Sequence, residues 1–359
     1  MRFKGKLIKS VLLPTLSLSM LLAPVSPVKA APKEVKVLSI GHSYSVNSCE
    51  YLYEIAKSQG VEMTIGIAFR GNCPLRMHYE YLTNQVVYGE AMGGGYYQKY
   101  VPGGYSATYA DEYTLEEMLT DEKWDYIIFQ DCLDTAGDWN VVSEWLLKLY
   151  EKVQKIMREQ QNTDVQYIYH EIWAMENIEY NPSAKEKVEF KKYNHDSDIM
   201  YKVVSETSKK AAENFEFRLL PTGDAFQIAR STSMFDASQG GKILVADSTN
   251  HANDYGKYLA GVTWFETITQ MSVDRETVYY PDVLTEEEAY TLIDCATQAV
   301  NESGLQLTEV KAEQGQVVDV VEDEEEETKK SFLIPAIVGG AILVAVLVAI
   351  IAIIKHTKK

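Results

Sequence analysis

The chain has 359 residues, of which 46% are hydrophobic and 24% are charged, a balance that excludes a disordered or fibrous protein. Ten of the 34 basic residues lie in the first 30 and last 31 positions, so residues 31–328 combine 24 basic with all 52 acidic residues and carry a net charge of −28. A surface this negative repels phosphate backbones, so we expect no nucleic-acid partner.

Residues 1–30 have the pattern of a secretory signal peptide. The basic stretch Met1–Lys9 precedes an apolar stretch over about 11–25, and Val28-Lys29-Ala30 has the small residues of a cleavage site. The alternative is an uncleaved membrane anchor. Pro14, Pro24 and the shortness of the apolar run disfavour it. We therefore expect the rest of the chain to be exported.

Strand-like runs alternate with helix-like stretches between residues 35 and 302. This alternation predicts an α/β domain with a parallel sheet and helices on both faces. In such a sheet the chemistry is expected beyond the carboxyl ends of the strands. The predicted strands are Val35–Ile40, Val61–Phe69, Trp124–Phe129, Val165–Tyr169 and Phe217–Leu220, and the longer predicted helices lie at about 139–160, 184–213, 255–271 and 285–302.

A further helix is predicted directly after the first strand. Asn47 has the place of its N-cap, Glu50 has the place of the capping-box partner, and Gly60 has the place of its stop. We therefore expect a helix over about 48–59.

Residues 78–113 interrupt this regular pattern. They hold nine of the 24 tyrosines, together with Gly93-Gly94-Gly95 and Gly103-Gly104. A long insertion in a compact domain is usually functional, and tyrosine offers an apolar face with a polar tip that suits contact with a sugar or a peptide. Two interpretations stay open, a binding surface and a self-packed loop that covers the sheet edge.

The C-terminal part predicts a membrane anchor. Residues 306–330 include a run of six consecutive acidic residues and are typical of a solvated spacer, so we place the end of the α/β domain at 305. Phe332–Ile354 holds 23 uncharged residues, which span roughly 34 Å as a helix and cross a bilayer. The basic tail 355–359 then lies in the cytoplasm. The expected location is the cell membrane, with a single span and the N-terminal domain outside the cell.

The four cysteines are Cys49, Cys73, Cys132 and Cys295. An exported chain permits disulfides, and three pairings are possible, although a domain this large does not need them. Free or buried thiols are therefore slightly favoured. No CxxC, HExxH or other ligand spacing appears, so neither a metal nor another cofactor is expected.

A candidate nucleophile follows the first strand, in Gly41-His42-Ser43-Tyr44-Ser45. A hydroxyl is a weak nucleophile unless a base takes its proton, so Ser43 requires a histidine within reach. His251 is the best placed of the six histidines, because Asp247 lies in the same segment and one loop can deliver both base and carboxylate. Ser45 is the rival nucleophile.

Acyl transfer also needs donors for the developing oxyanion. The backbone N–H of Ser43, the backbone N–H of Gly71 and the side-chain amide of Gln130 follow three different strands and are the candidates. Further side chains near these strand ends are possible substrate contacts, namely His42, Asn72, His78, His170 and Trp173.

These motifs together resemble the SGNH (GDSL-like) hydrolase superfamily, and most closely a branch catalogued as a domain of unknown function. The resemblance covers about 34–275. It is carried by Gly41–Ser45, by Gly71-Asn72-Cys73-Pro74-Leu75 with His78, by Trp124–Gln130, and by His251 followed by Gly256-Lys257-Tyr258-Leu259.

The resemblance implies a flavodoxin-like, three-layer α/β/α sandwich and a serine esterase or deacetylase, often acting on acylated carbohydrate. By position, Ser43 is the nucleophile, Gly71 the backbone oxyanion donor and His251 the base. Two positions depart from the superfamily pattern. Gln130 stands where an asparagine is usual, and Asp247 lies four residues before the histidine, whereas the usual position is occupied by Ser248.

Three functions remain open on the sequence. The first is an extracellular, membrane-anchored serine hydrolase acting on a small-molecule or glycan ester. The second is a non-catalytic module that binds glycan or protein through residues 78–113. The third is an acyltransferase that uses the same Ser-His-Asp triad, which reduces to a Ser–His dyad if Asp247 is not presented to His251.

Overall fold

The computed structural model describes residues 33–104, 107–246 and 250–309. The expected signal peptide, the acidic spacer from residue 310 onward and the expected membrane helix all lie outside these ranges. Within the described ranges, no helix is both long enough and apolar enough to span a bilayer.

The centre of the domain is a seven-stranded, mostly parallel sheet. Its strands are β1 (Glu34–Gly41), β2 (Glu62–Arg70), β3 (Gly95–Tyr100), β4 (Thr108–Ala110), β5 (Tyr126–Phe129), β6 (Gln166–His170) and β7 (Arg218–Leu220), and two short strands, β8 (Met271–Ser272) and β9 (Thr308–Glu309), pair with each other.

The strand order is β4-β3-β2-β1-β5-β6-β7. The five strands β2, β1, β5, β6 and β7 run parallel, in the order of a doubly wound sheet. All five strands expected from the sequence are present, with ends within two residues of the expected ones. The carboxyl ends of β1 and β2 are adjacent, because Gly41 pairs with Phe69 in the parallel register.

Helices cover both faces of the sheet. Successive side chains of a strand point to opposite faces, so Val37 joins one buried apolar cluster and Leu38 joins the other. Helices α3, α4 and α5 pack on the Leu38 face, and α1, α2, α8, α9 and α10 pack on the Val37 face. The helices are α1 (Ser43–Cys49), α2 (Leu52–Ser58), α3 (Leu75–Asn84), α4 (Leu115–Thr120), α5 (Trp139–Glu159), α6 (Val188–Lys191), α7 (Ser197–Phe215), α8 (Thr222–Arg230), α9 (Asp254–Thr269) and α10 (Glu286–Glu302), with single 3₁₀ turns at Tyr88–Glu90, Pro182–Glu186 and Ala237–Gln239.

The single helix predicted over about 48–59 is wrong in its start and in its continuity, since α1 ends at Cys49 and α2 begins at Leu52. Helix α1 begins at Ser43, since the ring of His42 accepts a hydrogen bond from the Tyr44 N–H and caps the helix there. Asn47 lies inside α1, and its side chain accepts from the backbone N–H of Ala252 instead of capping. The expected stop is confirmed, because α2 ends before Gly60, which has a φ of 73°.

The expected helix over 184–213 is two helices separated by a break. Asn194 and His195 both adopt the left-handed conformation, with φ of 57° and 58°, which ends α6 and redirects the chain into α7. Helices α3, α4 and α8 were not expected from the sequence.

The tyrosine-rich insertion extends the sheet. Strand β3 pairs antiparallel with β2, and β4 pairs with β3, so the insertion covers what would otherwise be the free edge of β2. The sequence interpretation of an edge-covering segment is therefore confirmed, although the segment contains regular strands as well as loops.

The ordered fold continues beyond the expected boundary at residue 305. Strand β9 pairs in parallel with β8, and the Thr308 N–H donates to the carbonyl of Gln270. Thr308 and Glu309 therefore belong to the domain.

Candidate active site

The turn between β1 and α1 presents Ser43 at the carboxyl end of the central strand. A Cβ on Gly41 would lie 2.6 Å from the Ser45 Oγ and 2.7 Å from the Gln130 Oε1, so only glycine lets the strand pass this close to both side chains. The helix then starts at Ser43 itself, which is half-buried. The nucleophile candidate is thus held at a strand-to-helix junction.

The candidate base lies beside a short antiparallel bridge. Val245 bridges Ala252, and the Ala246 N–H donates to the His251 carbonyl at 2.7 Å. The Asn47 side chain accepts from the Ala252 N–H at 3.1 Å and ties this bridge to α1. The backbone of His251 is therefore fixed against the helix that carries Ser43.

The structure brings Ser43 and His251 together across 208 positions of sequence. The Nε2 atom of His251 lies 2.7 Å from the Oγ of Ser43, and both residues are half-buried. Burial, followed by the positive charges of Lys187 and Lys257, lowers the pKa of His251 from its usual value of 6.5. A neutral imidazole at this distance can take the hydroxyl proton.

Asp247 lies outside the described residues, so its expected place beside His251 stays a prediction. Since the Nε2 of His251 faces Ser43, an orienting carboxylate in that role would bind the other ring nitrogen, Nδ1.

Two backbone donors lie at the same edge of the sheet. Ser43 follows Gly41 and Gly71 follows Phe69, and those two strand residues are paired in register. Within the part of the chain that the structure describes, neither the Ser43 N–H nor the Gly71 N–H has a hydrogen-bond partner. Both N–H groups are therefore candidate donors for a developing oxyanion.

The structure does not support Gln130 as an oxyanion donor. It is fully buried, and its Oε1 accepts from the His42 N–H at 3.0 Å and from the Ser45 hydroxyl at 3.1 Å. Its Nε2 donates to the Nδ1 of His170 at 2.5 Å. The glutamine therefore connects the strand ends under the site instead of facing a substrate.

Ser45, the rival nucleophile, belongs to this buried network. It has no exposed surface, and its hydroxyl also lies 2.8 Å from that of Ser39. A substrate carbonyl cannot reach an atom in this position, so Ser43 is the accessible hydroxyl of the motif.

Four of the five expected substrate contacts are buried side chains. His42, His78, His170 and Trp173 are each at most 2% exposed, so these four sequence-based assignments are wrong. Burial lowers the pKa of His42 to about 4 and that of His78 to about 3, which keeps both rings neutral. Only Asn72 is exposed, and its side chain donates to Asp134 at 3.1 Å.

Tyr44 and Asn250 are site residues that the sequence did not indicate. The Tyr44 ring stacks on Trp173 at 3.8 Å and packs edge-on against His251 at 6.4 Å. Asn250 donates to the Tyr44 hydroxyl at 3.2 Å, and its carbonyl accepts from the Trp173 indole N–H at 3.2 Å. Only their positions next to Ser43 and His251 in the sequence could have indicated these two residues.

The four cysteines are all buried and form no disulfide. This confirms the expectation of free thiols. Burial also raises the pKa of each thiol, to about 11 for Cys295 and about 12 for Cys132, so none is poised as a nucleophile.

Comparison with known proteins assigns the chain to a family. A family model described as Domain of unknown function (DUF4886) matches residues 36–299. The chain belongs to the DUF4886 family. This confirms the branch that the sequence resembled. A search of the curated proteins gave no match.

Solved structures include another DUF4886 protein. The structure of a DUF4886 family protein from Bacteroides uniformis is 28% identical and has a TM-score of 0.65 over 77% of this chain and 97% of that chain. A putative SGNH hydrolase from Slackia heliotrinireducens is 16% identical with a TM-score of 0.41, over 65% and 98%. A catalytic mutant of an acetylxylan esterase from Geobacillus stearothermophilus is 12% identical with a TM-score of 0.35, over 65% and 94%.

Proposed function

We propose that this DUF4886 protein is a serine ester hydrolase of the SGNH type, with Ser43 as nucleophile and His251 as general base. The observation that carries the proposal is the 2.7 Å contact between the Ser43 Oγ and the His251 Nε2. We assign Asp247 to orient His251 through the Nδ1 atom of the histidine. We assign an O-acylated carbohydrate as the substrate.

Each chemical step has a residue to perform it. His251 takes the Ser43 proton while Oγ bonds to the ester carbonyl carbon, and the carbonyl oxygen becomes an oxyanion facing the Ser43 and Gly71 N–H groups. The C–O bond then breaks, and His251 returns the proton to the leaving alcohol. Water then gives a proton to the same imidazole and attacks the acyl-serine carbonyl carbon. The acyl–Oγ bond breaks, His251 returns the proton to the Ser43 oxygen, and the carboxylic acid is released.

The ends of the sequence supply the proposed location. An export signal at the N-terminus and an apolar segment near the C-terminus favour a domain outside the cell that is anchored by one membrane helix. The strongly acidic domain suits a neutral ester more than an anionic one.

A fluorophosphonate probe tests the proposal. We expect a membrane-impermeant probe to label the full chain on intact cells, because an activated serine attacks phosphorus as it attacks a carbonyl. Ser43→Ala should abolish labelling, and Ser45→Ala should leave labelling at Ser43 detectable. Labelling that persists in Ser43→Ala contradicts the mechanism, and labelling seen only after cell lysis contradicts the location.

The pH profile provides a second prediction. Only the neutral imidazole of His251 can act as the base, so kcat/KM for a small acetyl ester should rise with pH. Since the pKa of His251 is lowered, the midpoint of that rise should lie below pH 6.5. Lys187→Gln removes a positive charge that disfavours the imidazolium, so the midpoint should move to higher pH. Lys187→Arg keeps the charge and should keep the midpoint. A limb that does not respond to Lys187→Gln contradicts this electrostatic assignment.

A further inference from the structure

A groove with an aromatic wall lies beside the candidate active site, between β2 and the insertion. It has a volume of about 510 Å³, which is within the usual range of about 300–1,000 Å³ for small-molecule sites. Its wall includes Phe69, Tyr96 and Tyr109, and Asp111 and Glu112 line it as well.

The groove is fixed by backbone contacts. A Cβ on Gly95 would lie 2.7 Å from the Phe69 carbonyl oxygen, so β3 approaches β2 this closely only with glycine at that position. On the insertion side, the Gly89 N–H donates to the Asp111 carbonyl at 2.8 Å and the Tyr88 N–H donates to the Tyr113 carbonyl at 3.0 Å. These contacts hold the backbone on both sides of the groove in place.

Its rings form a wall with one exposed end. Phe69 and Tyr96 stack at 4.4 Å with an interplanar angle of 29°, and Tyr109 packs at 78° to Tyr96 at 5.3 Å. Tyr109 remains 64% exposed. A cage for a cation needs ring faces turned toward one point, whereas Phe69 and Tyr96 already cover each other's faces.

The polar side of the groove consists of hydrogen-bond acceptors. Asp111 and Glu112 are exposed, and among the described residues neither carboxylate has an ion pair or a hydrogen-bond partner. Carboxylates accept hydrogen bonds from hydroxyl groups and repel anions. An apolar ring wall facing two acceptors therefore suits a neutral polyol ring with one C–H face and several hydroxyls.

The groove is continuous with the oxyanion side of the site. The Arg70 guanidinium donates both to the Gly71 carbonyl and to the Met92 carbonyl, which ties the insertion to the turn after β2. The open Cβ position of Gly71 lies 4.0 Å from the Phe69 ring. Phe69 thus belongs to the groove and borders the candidate donor Gly71.

We propose that this groove binds a neutral sugar unit of a glycan, with the sugar ring on Tyr109 and its hydroxyls on Asp111 and Glu112. Resting on the proposed hydrolase function, the same glycan then extends past Gly71 and brings an acyl group on a neighbouring unit to Ser43.

Binding is measured separately from catalysis. Isothermal titration of the full-length Ser43→Ala protein with cellohexaose, xylohexaose and N-acetylchitohexaose should show saturable binding of at least one of them. Tyr109→Ala in the same background should weaken that binding by about tenfold or more, equivalent to about 1.4 kcal/mol. Tyr109→Phe should retain most of the affinity, because it keeps the ring.

Tyr279 provides the matched control, since it is 36% exposed and does not line the groove. Tyr279→Ala should leave the sugar affinity unchanged in the Ser43→Ala background. In the wild-type background it should leave ester hydrolysis unchanged. Absence of binding to all three sugars, or equal affinity in Tyr109→Ala and Tyr279→Ala, overturns the groove proposal. Binding of choline in place of the sugars also overturns it. None of these results affects Ser43-dependent hydrolysis of a small acetyl ester, so the two proposals fail separately.

Discussion

His251→Asn should lower kcat for hydrolysis of a small acetyl ester by about 10⁴- to 10⁶-fold, the range seen when a serine loses its base. The imidazole Nε2 lies 2.7 Å from the Ser43 Oγ, and asparagine cannot accept the hydroxyl proton. Steady-state kinetics with the full chain measures the loss. Ser43→Ala should cost about as much, and the double variant should cost little more, because the two residues act as one unit.

His195→Asn is the matched control for this measurement. His195 has a φ of 58°, a conformation that asparagine tolerates, and its ring contacts the Lys185 carbonyl. The control should retain the wild-type kcat. If His251→Asn keeps more than about one tenth of the activity, another base must serve Ser43 and the proposed mechanism is wrong.

The sheet was predictable because its signal is local. The apolar runs that became β1, β2, β5, β6 and β7 are bounded by helix-like stretches, and a parallel sheet buried on both faces needs such runs. This topology places strand ends at one edge of the sheet. The order of the sequence, with a serine after β1 and a histidine just before α9, predicts that Ser43 and His251 meet at this edge.

The start of α1 was not predictable in the same way. Asn47 and Glu50 have the spacing of a capping box, but the ring of His42 caps the helix five residues earlier. The Asn47 side chain finds its partner in Ala252, more than 200 positions away. The Asn47 side chain thus makes a long-range hydrogen bond in place of the local cap that the sequence pattern predicts.

The roles of Gln130 and His170 depended on burial, which a single polar residue does not reveal. Gln130 follows β5 and His170 is the last residue of β6, both at the expected edge, yet both are at most 1% exposed. The His170 Nδ1 accepts from Gln130, so its Nε2 carries the proton and donates to the Thr222 hydroxyl at 3.0 Å. Polar residues at strand ends can therefore be buried beneath a site as readily as they can contact its substrate.

Trp173→Ala should destabilise the domain by about 3–5 kcal/mol, as expected for truncation of a buried tryptophan. Trp173 is fully buried between Tyr44, at 3.8 Å, and Phe226, at 4.7 Å, with both ring pairs nearly parallel. The variant also removes the indole N–H that donates to the Asn250 carbonyl, next to His251. Urea unfolding measures the stability. The kcat per folded molecule should also be lower than that of the wild type.

Trp124→Ala separates stability from positioning. Trp124 is also fully buried and donates its indole N–H to a backbone carbonyl, that of Met118, but it belongs to the apolar cluster on the other face of the sheet. Its loss should cost a similar free energy of unfolding while kcat per folded molecule stays near wild type. Trp173→Phe should keep the ring stack and lose the hydrogen bond, so its kcat should lie between those of Trp173→Ala and the wild type. Equal kcat in folded Trp173→Ala and Trp124→Ala would show that the Tyr44–Trp173 stack supports the fold without positioning His251.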